Sequence, residues 1–267
     1  MTSDMSEQSI ILDIDARGVA TLTLDRADKH NAFDEHVIAA LSAAFAKLAA
    51  DDSIKVMTLR ANGRNFSAGA DLDWMKRMAD YDRAENIRDA NALAGMLHRL
   101  NYLPFPTLAR VQGAAMGGGA GLVCCCDIAI AGPQASFAFS EAKLGLIPAT
   151  ISPYVLQSIG AQAARRYFLT AERFDARRAL QLGLVSEVVE DSALDTRINE
   201  LIETILANSA EAVRAAKQLV FDIEDREVTA ALMQDTSARI ADIRASEEGK
   251  EGLAAFLEKR KPEWVKS

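Results

Sequence analysis

Strand-like and helix-like segments alternate along the chain as far as Asp191, and only helix-like segments follow. Residues 10–14 and 19–24 are apolar, β-branched runs on either side of Arg17-Gly18, which predicts two antiparallel strands joined by a turn. The order after them is strand, strand, helix, repeated. Parallel neighbouring strands need a crossover connection, and a helix supplies it. The pattern therefore predicts an α/β fold with mostly parallel strands.

Capping residues and apolar periodicity place the individual elements. Asp34 is a predicted N-cap, and Asp175 caps a second helix that ends at Gly183. The first of these helices carries one apolar face, formed by Val37, Ile38, Leu41, Phe45 and Leu48. Further strands are predicted at residues 55–60, 107–112, 127–131, 136–139 and 184–189, and further helices at 74–100 and 117–126.

The last quarter of the sequence carries helical patterns only. Four helices are predicted at residues 194–207, 210–223, 228–244 and 247–259. No low-complexity linker separates them from the preceding part. We therefore expect two regions, a core of residues 1–195 that holds the functional site and a helical region of residues 196–267 that packs on the core or on another subunit.

Charge and composition exclude several classes of partner. The 267 residues include 30 Lys+Arg and 38 Asp+Glu, for a net charge of -8, which repels nucleic acid and anionic lipid. No run approaches the roughly 18 apolar residues of a membrane span, and residues 1–8 lack the pattern of a signal peptide. We therefore expect a soluble protein, with no nucleic-acid or membrane partner.

The cysteines and histidines do not have the spacing of a metal site. Cys124, Cys125 and Cys126 are consecutive, which suits neither metal ligation nor an ordinary disulfide framework, so we expect buried free thiols and a cytoplasmic location. The three histidines are scattered, and no metal is predicted.

Two small-residue turns are candidates for binding an anionic oxygen. Residues 117–119 are three glycines before an apolar run at 120–126, which must be a buried helix. The first turn of a helix has N–H groups without internal partners, and glycine allows a close approach to them. A flexible turn or close helix packing is the alternative. Leu122 replaces the third glycine of a dinucleotide fingerprint, so that motif is absent.

The second turn is residues 65–71, Asn-Phe-Ser-Ala-Gly-Ala-Asp, directly after a predicted strand. Such positions commonly bind ligands in α/β proteins. If each turn supplies one N–H group to the same developing oxyanion, each donor contributes about 2.7–4 kcal/mol to catalysis.

These turns resemble a known family. Residues 66–71, Phe-Ser-Ala-Gly-Ala-Asp, then residues 113–119, Gly-Ala-Ala-Met-Gly-Gly-Gly, and residues 126–131, Cys-Asp-Ile-Ala-Ile-Ala, are similar to the enoyl-CoA hydratase/isomerase (crotonase) superfamily. The likeness extends from a first block at residues 25–33 to a tail at 256–262. It implies a spiral of ββα units, a helical C-terminal trimerisation region, and a homotrimer or homohexamer built as a dimer of trimers.

The resemblance also implies site residues. The oxyanion N–H groups would be those of Ala70 and Gly118, and the acid–base residue would be Glu141. Coenzyme A contacts are implied at Lys29, Ala68, Ala70, Asp71, Leu72, Phe256 and Lys259, the last two often for the coenzyme A of a neighbouring subunit. The substrate would be an acyl-CoA, with no cofactor beyond its coenzyme A moiety.

One catalytic position departs from the family pattern. Well-studied hydratases of the family use two glutamates, but Gly121 stands at the first of these positions. Either Glu141 alone activates water and shuttles its proton, or a carboxylate from residues 73–80 takes the second role. A lone glutamate also resembles the isomerases of the superfamily.

Three segments favour hydration of a branched, carboxylated acyl chain. Residues 70–75, Gly121 and residues 145–154 are most similar to bacterial methylglutaconyl-CoA and isohexenylglutaconyl-CoA hydratases. Most relatives have a glycine-rich run after Pro148, whereas this chain has Ala-Thr-Ile-Ser-Pro-Tyr, so we expect an acyl pocket of different shape. The alternatives are a Δ3-Δ2 isomerase, a non-catalytic acyl-CoA-binding scaffold and, last, RNA binding.

Overall fold

A computed structural model describes residues 9–265, in which strands and helices alternate as the sequence predicts. The expectation for residues 1–8 lies outside the described residues. The strands are β1 Ile10–Ile14, β2 Val19–Leu24, β3 Val56–Ala61, β4 Thr107–Val111, β5 Ala114–Met116, β6 Ile128–Ala131, β7 Ser136–Ala138, β8 Phe174–Asp175 and β9 Glu187–Val188. The helices are α1 Glu35–Ala49, α2 Leu72–Met78, α3 Arg83–Asn101, α4 Gly118–Cys124, α5 Ser152–Thr170, α6 Ala176–Leu182, α7 Leu194–Leu206, α8 Ala210–Ile223, α9 Ala230–Ala245 and α10 Glu247–Glu258.

The larger sheet has six strands in the order β1-β2-β3-β4-β6-β9, and only the β1–β2 pair is antiparallel. Its central strand β3 is buried at all but one residue, because helices cover both faces of the sheet. On one face lies the large core that includes α1 and α3. On the other face, Leu194, Ile198 and Ile202 of α7 pack against Val56 and Leu108 of the sheet.

A second, smaller sheet of β5, β7 and β8 positions the two small-residue turns. Strand β5 pairs in parallel with β7, and single-residue bridges join Ser67 to Ala115 and Phe33 to Ala70. The chain that leaves β3 therefore does not form a free loop, because it runs as an added edge beside β5. This arrangement brings residues 66–71 next to the start of α4.

The predicted elements are confirmed to within a few residues in most cases, and the differences have local causes. Residues 74–100 form two helices, α2 and α3, because Asp82 starts a new helix with a capping box closed by Glu85. The strand predicted at 184–189 pairs only at Glu187–Val188. Strands β5 and β8 were not predicted because they are only three and two residues long. Helix α5 was not predicted either; it is broken at Gly160, where φ is 72°.

The helical C-terminal region is confirmed as a set of four helices, α7 to α10. Two basic side chains of α8 fasten it to the core: Arg214 donates to the Ile54 carbonyl at 2.7 Å, and Lys217 pairs with Asp127 at 2.7 Å. None of the described helices is long and apolar enough to cross a membrane. The boundary at residue 195 and the trimerisation role remain predictions.

We predict that Lys217→Ala weakens the docking of α8 and lowers the free energy of unfolding by about 1–3 kcal/mol. The ammonium also donates to the Phe105 carbonyl at 3.0 Å, and its side chain is only 10% exposed, so the loss leaves Asp127 without its ionic partner. Urea denaturation measures the change. Lys47→Ala, on the exposed side of α1, is the control, and an equal effect of both variants would contradict the prediction.

Candidate active site

Residues 66–71 are held by backbone hydrogen bonds to two different parts of the chain. On one side, Ser67 donates to the Ala114 carbonyl and accepts from the Met116 N–H, both at 2.9 Å. The Ser67 hydroxyl is fully buried and donates to the Asn31 carbonyl at 2.8 Å. The segment therefore has the rigidity of a sheet strand although it connects a strand to a helix.

On the other side, the backbone of Phe33 forms hydrogen bonds with Gly69 and Asp71, the neighbours of Ala70 in the chain. The Phe33 N–H donates to the Gly69 carbonyl, and the Asp71 N–H donates to the Phe33 carbonyl, both at 2.7 Å. In a parallel bridge of this kind, the N–H of the residue in between faces away from the partner strand. The Ala70 N–H therefore faces away from Phe33, and no hydrogen bond joins it to the rest of residues 9–265.

The turn at residues 117–119 lies against residues 66–71. Gly117 has φ 49° and ψ -118°, a conformation that glycine tolerates, and α4 begins at the next residue. A β-carbon on Gly119 would lie 2.7 Å from Ser67 Cβ, and one on Gly118 would lie 3.0 Å from the Phe33 ring. The small residues thus allow the two backbones to touch. The Gly118 N–H, like that of Ala70, has no partner within the described chain.

Asn31 fastens the loop that supports both turns, and the sequence pattern did not identify it. It is 3% exposed, and its amide donates to the carbonyls of Asn62 and Asn65 at 2.8 and 2.9 Å. Its side-chain oxygen Oδ1 accepts from the Arg26 backbone N–H at 2.8 Å. Its φ of 54° is a left-handed conformation that asparagine adopts more readily than most residues, so the residue type is the one sequence signal that could have indicated this position.

Two basic side chains, Lys29 and Arg26, lie beside the Asp71 carboxylate. The Lys29 ammonium lies 3.3 Å from an Asp71 oxygen, and Arg26 lies 3.7 Å from the same oxygen. Burial raises the pKa of Asp71, but hydrogen bonds from the N–H groups of Trp74 and Asp73, together with Lys29, outweigh it and hold this pKa below its usual value. Asp71 is therefore ionised at neutral pH, where it caps α2 and pairs with Lys29.

Glu141 is a carboxylate whose surroundings shift its pKa in the opposite direction from that of Asp71. It opens a 3₁₀ turn at Glu141–Leu144, and its Oε1 lies 3.2 Å from the place of a β-carbon on Gly117. Its Oε2 is buried and accepts no hydrogen bond from the described residues. Burial raises the pKa of Glu141, and only its own backbone N–H opposes the shift. Glu141 is thus a poorly solvated base beside the start of α4.

Residues 73–80 do not supply a second carboxylate of this kind. Asp73 is exposed and pairs with Lys76 at 3.0 Å, and Asp80 is exposed. A partly buried carboxylate does follow in α3: Asp89 accepts from the Trp74 indole at 3.2 Å, and burial raises its pKa. Trp74 itself is 4% exposed and lies in the core.

Position 121 is closed by a hydrocarbon side chain. A β-carbon on Gly121 would lie 2.5 Å from Ile151 Cγ2 and 3.8 Å from Leu97 Cδ2. Ile151, 1% exposed, comes from the run that differs from the glycine-rich run of the family. The sequence predicted a changed shape here but did not identify this contact.

The remaining predicted coenzyme A contacts lie at the surface of the chain. Ala68 is exposed and its N–H donates to the His30 carbonyl at 3.0 Å, while Leu72 is 74% exposed. Phe256 is 80% exposed near the end of α10, and Lys259 follows that helix. The Lys259 side chain forms no ion pair with the described site residues.

The three cysteines are free thiols, as predicted, and burial raises the pKa of Cys124 to about 12. Cys125 is buried, whereas Cys124 and Cys126 are partly exposed as whole residues. Within the described residues, no group of three or more His, Cys, Asp or Glu side chains is arranged to hold a metal ion.

Comparison with known proteins agrees with this geometry. The family model described as enoyl-CoA hydratase/isomerase matches residues 15–267. The chain is 32% identical to the 2,3-dehydroadipyl-CoA hydratase of Escherichia coli, covering 92% of this chain and 94% of that one, and 30% identical to the short-chain-enoyl-CoA hydratase of Clostridium acetobutylicum, covering 98% and 100%. A crystal structure of an enoyl-CoA hydratase from Shewanella pealeana superposes with a TM-score of 0.93 at 48% identity, covering 98% and 97%.

We predict that the melting temperature of Glu141→Gln minus that of wild type increases as the pH rises from about 4 to 7. The raised pKa means that ionising Glu141 costs more in the folded than in the unfolded protein, and this cost is present only above the usual glutamate pKa. Glutamine does not ionise and does not incur it. Thermal melts across this range test the sign, with the exposed Glu227→Gln as the control. A difference that does not change with pH would contradict the prediction.

Proposed function

The chain belongs to the enoyl-CoA hydratase/isomerase family of enzymes, and on that basis we propose that it adds water across the 2,3 double bond of an enoyl-CoA with Glu141 as its acid–base group. The observation that supports this most strongly is the buried, unpartnered Oε2 of Glu141 beside the start of α4. A base in this position is poorly solvated and ready to accept a proton.

The two turns are proposed to bind the thioester oxygen. The N–H groups of Ala70 and Gly118 have no partner in the described chain, although both lie beside Phe33. When water attacks the β-carbon, negative charge moves to the thioester oxygen, and two fixed donors stabilise it without having to reorganise. The rigidity of residues 66–71 is what makes this stabilisation available to the transition state.

Glu141 is proposed to handle both protons of the addition. Its carboxylate accepts a proton from water as the water oxygen bonds to the β-carbon, and the π electrons move toward the α-carbon and the thioester oxygen. The protonated Glu141 then gives a proton to the α-carbon and returns to its ionised form. The raised pKa suits both steps, because a carboxyl group with a pKa nearer to neutrality is a better base and remains an acid strong enough to return the proton.

The proposed substrate carries a branch and a second carboxylate, as in 3-methylglutaconyl-CoA. Support comes from the sequence likeness at residues 70–75 and 145–154, and from the E. coli relative, whose name describes an acyl chain with a terminal carboxylate. Glu141 is already a poorly solvated carboxylate, so we propose that the substrate carboxylate extends toward solvent or toward a cation outside the buried site.

One observation favours a second candidate, Δ3-Δ2 enoyl-CoA isomerisation. Position 121 holds no carboxylate and is filled by Ile151, so the site has one acid–base group near the oxyanion turns. Moving a proton from one carbon of a bound acyl chain to another needs only one such group. The two reactions differ in whether water joins the product.

Coenzyme A contacts and assembly complete the proposal. Ala68 and Asp71 lie within the turn at residues 65–71, Leu72 follows it, and Lys29 pairs with Asp71 beside it. Lys29 is proposed to supply the positive charge that a phosphate group requires. Phe256 and Lys259 are proposed to reach the coenzyme A of a neighbouring subunit in a trimer or a dimer of trimers. Exposed apolar side chains on the last helices support burial against another subunit; they are Met233, Ile240, Leu253, Phe256 and Leu257.

We predict that wild-type enzyme hydrates 3-methylglutaconyl-CoA and that Glu141→Gln lowers kcat by about 10³-fold or more, because glutamine neither accepts nor returns the proton. Loss of the enoyl absorbance measures the rate, and mass spectrometry detects the added water. Comparison with 3-methylcrotonyl-CoA, which has the same branch and no second carboxylate, tests substrate choice. A shifted double bond without added water from a 3-enoyl-CoA would establish the isomerase instead.

We predict that Gly119→Ala lowers kcat/KM by about 10²-fold, the effect of losing one oxyanion donor. Its methyl group would lie 2.7 Å from Ser67 Cβ and 2.9 Å from the Ser67 carbonyl oxygen, so the two turns must separate. Gly95→Ala is the matched control, since a β-carbon there has no neighbour within 4 Å. Steady-state kinetics give kcat/KM for both variants. Full activity of Gly119→Ala would show that the spacing of the turns does not govern catalysis.

A further inference from the structure

Gly121 and Ile151 share one space, and only one of the two positions can carry a side chain. A β-carbon on Gly121 would lie 2.5 Å from Ile151 Cγ2 and 3.1 Å from Ile151 Cβ. Ile151 is β-branched, so its Cγ2 has little rotational freedom to move away. It is also 1% exposed and cannot turn toward solvent without opening the core. The contact therefore excludes every larger residue at position 121.

This space is next to Glu141 along one face of α4. Gly121 follows Gly117 by four residues, and its N–H donates to the Gly117 carbonyl at 3.0 Å, which closes a helical turn. Residues four apart lie on the same face of a helix, about one turn or 5.4 Å along its axis. Glu141 Oε1 lies 3.2 Å from the place of a β-carbon on Gly117, and Ile151 Cγ2 lies 2.5 Å from that of one on Gly121, so the two side chains contact positions four residues apart at the start of α4.

Chain connectivity supports the same placement. The 3₁₀ turn that begins with Glu141 packs against α5, and Ile151 is the N-cap residue of α5. The same helix also packs against α4. The segment from Glu141 to Ile151 thus returns to α4 at both of its ends, first with a carboxylate and then with a hydrocarbon.

We propose that Ile151 is a positioning residue that restricts the site to one carboxylate: it occupies the place beside Glu141 that an acid at position 121 would need. This inference rests on the proposed function and adds to it the residue that decides the number of acid–base groups. With hydrocarbon in that place, the proton taken from water and the proton given to the α-carbon must both pass through Glu141. Glu141 takes one proton from water and gives one to the α-carbon, so it ends in its starting form and no further reactant is needed.

The proposal makes positions 121 and 151 interdependent. Gly121→Glu alone forces a carboxylate into space that Ile151 fills, so we expect a lower melting temperature and a loss of activity. Gly121→Glu combined with Ile151→Gly removes the obstruction, so the melting temperature should recover relative to Gly121→Glu. Gly95→Glu is the matched control, since a β-carbon there has no neighbour within 4 Å, and its melting temperature should be no lower than that of wild type.

The decisive measurement adds Glu141→Gln to each background. In the wild-type background we expect this change to lower kcat by about 10³-fold or more. In the Gly121→Glu/Ile151→Gly background we expect hydration at least about tenfold above that of Glu141→Gln alone, because a second carboxylate now lies one turn away on α4. Restored packing alone would not give this rescue, and Glu141→Gln with Gly121→Glu but with Ile151 intact should not show it.

Two results would overturn the proposal. Equal melting temperatures for Gly121→Glu with and without Ile151 would show that Ile151 does not exclude a side chain there. A folded Gly121→Glu/Ile151→Gly protein that fails to rescue Glu141→Gln would show that position 121 does not serve the reacting atoms. The melting temperatures need no substrate. A failure of the proposed function would therefore look different: wild type would not hydrate, yet the melting temperatures would remain coupled.

Discussion

The site depends on the backbone pairing of residues 66–71 with strand β5 on one side and with Phe33 on the other. Four hydrogen bonds of 2.7–2.9 Å use the polar groups of Ser67, Gly69 and Asp71 and leave the Ala70 N–H directed away from Phe33. A connection between a strand and a helix is usually the most mobile part of an α/β unit. Here it is built into a sheet, and this rigidity lets an N–H group act as a fixed donor.

The environments of two carboxylates give them different roles. Asp71 accepts two N–H groups and faces Lys29, so its pKa lies below the usual value and it remains charged. Glu141 lies in a poorly solvated place, and burial raises its pKa. The first arrangement suits the binding of a substrate and the start of a helix, and the second suits proton transfer. The separation of these pKa values is the electrostatic argument for assigning the acid–base role to Glu141.

Close contacts at three glycines of α4 leave no space for larger side chains. Gly118 and Gly119 let α4 lie against Phe33 and Ser67, since a β-carbon at either position would be within 3.0 Å of them. At Gly121 the same closeness is produced by Ile151, which fills the space with hydrocarbon instead of leaving it to a catalytic group. Close packing therefore positions the groups of the site and also sets how many of them there are.

The sequence by itself determined the class of fold and the two small-residue turns, because alternating apolar runs, helix caps such as Asp34 and Asp175, and glycine clusters are local patterns with local physical causes. Glu141 was indicated only by the resemblance to the family, and its acid–base role stays a proposal. The sequence did not identify Asn31 or Ile151, and it did not predict β5. Asn31 acts through carbonyls 31 and 34 residues away, and β5 is a strand only because residues from distant parts of the chain pair with it. The sequence also did not show that the space beside Gly121 is filled, because the side chain that fills it belongs to Ile151, 30 residues away in the chain. Such contacts depend on how the elements pack in three dimensions, and no local pattern encodes them.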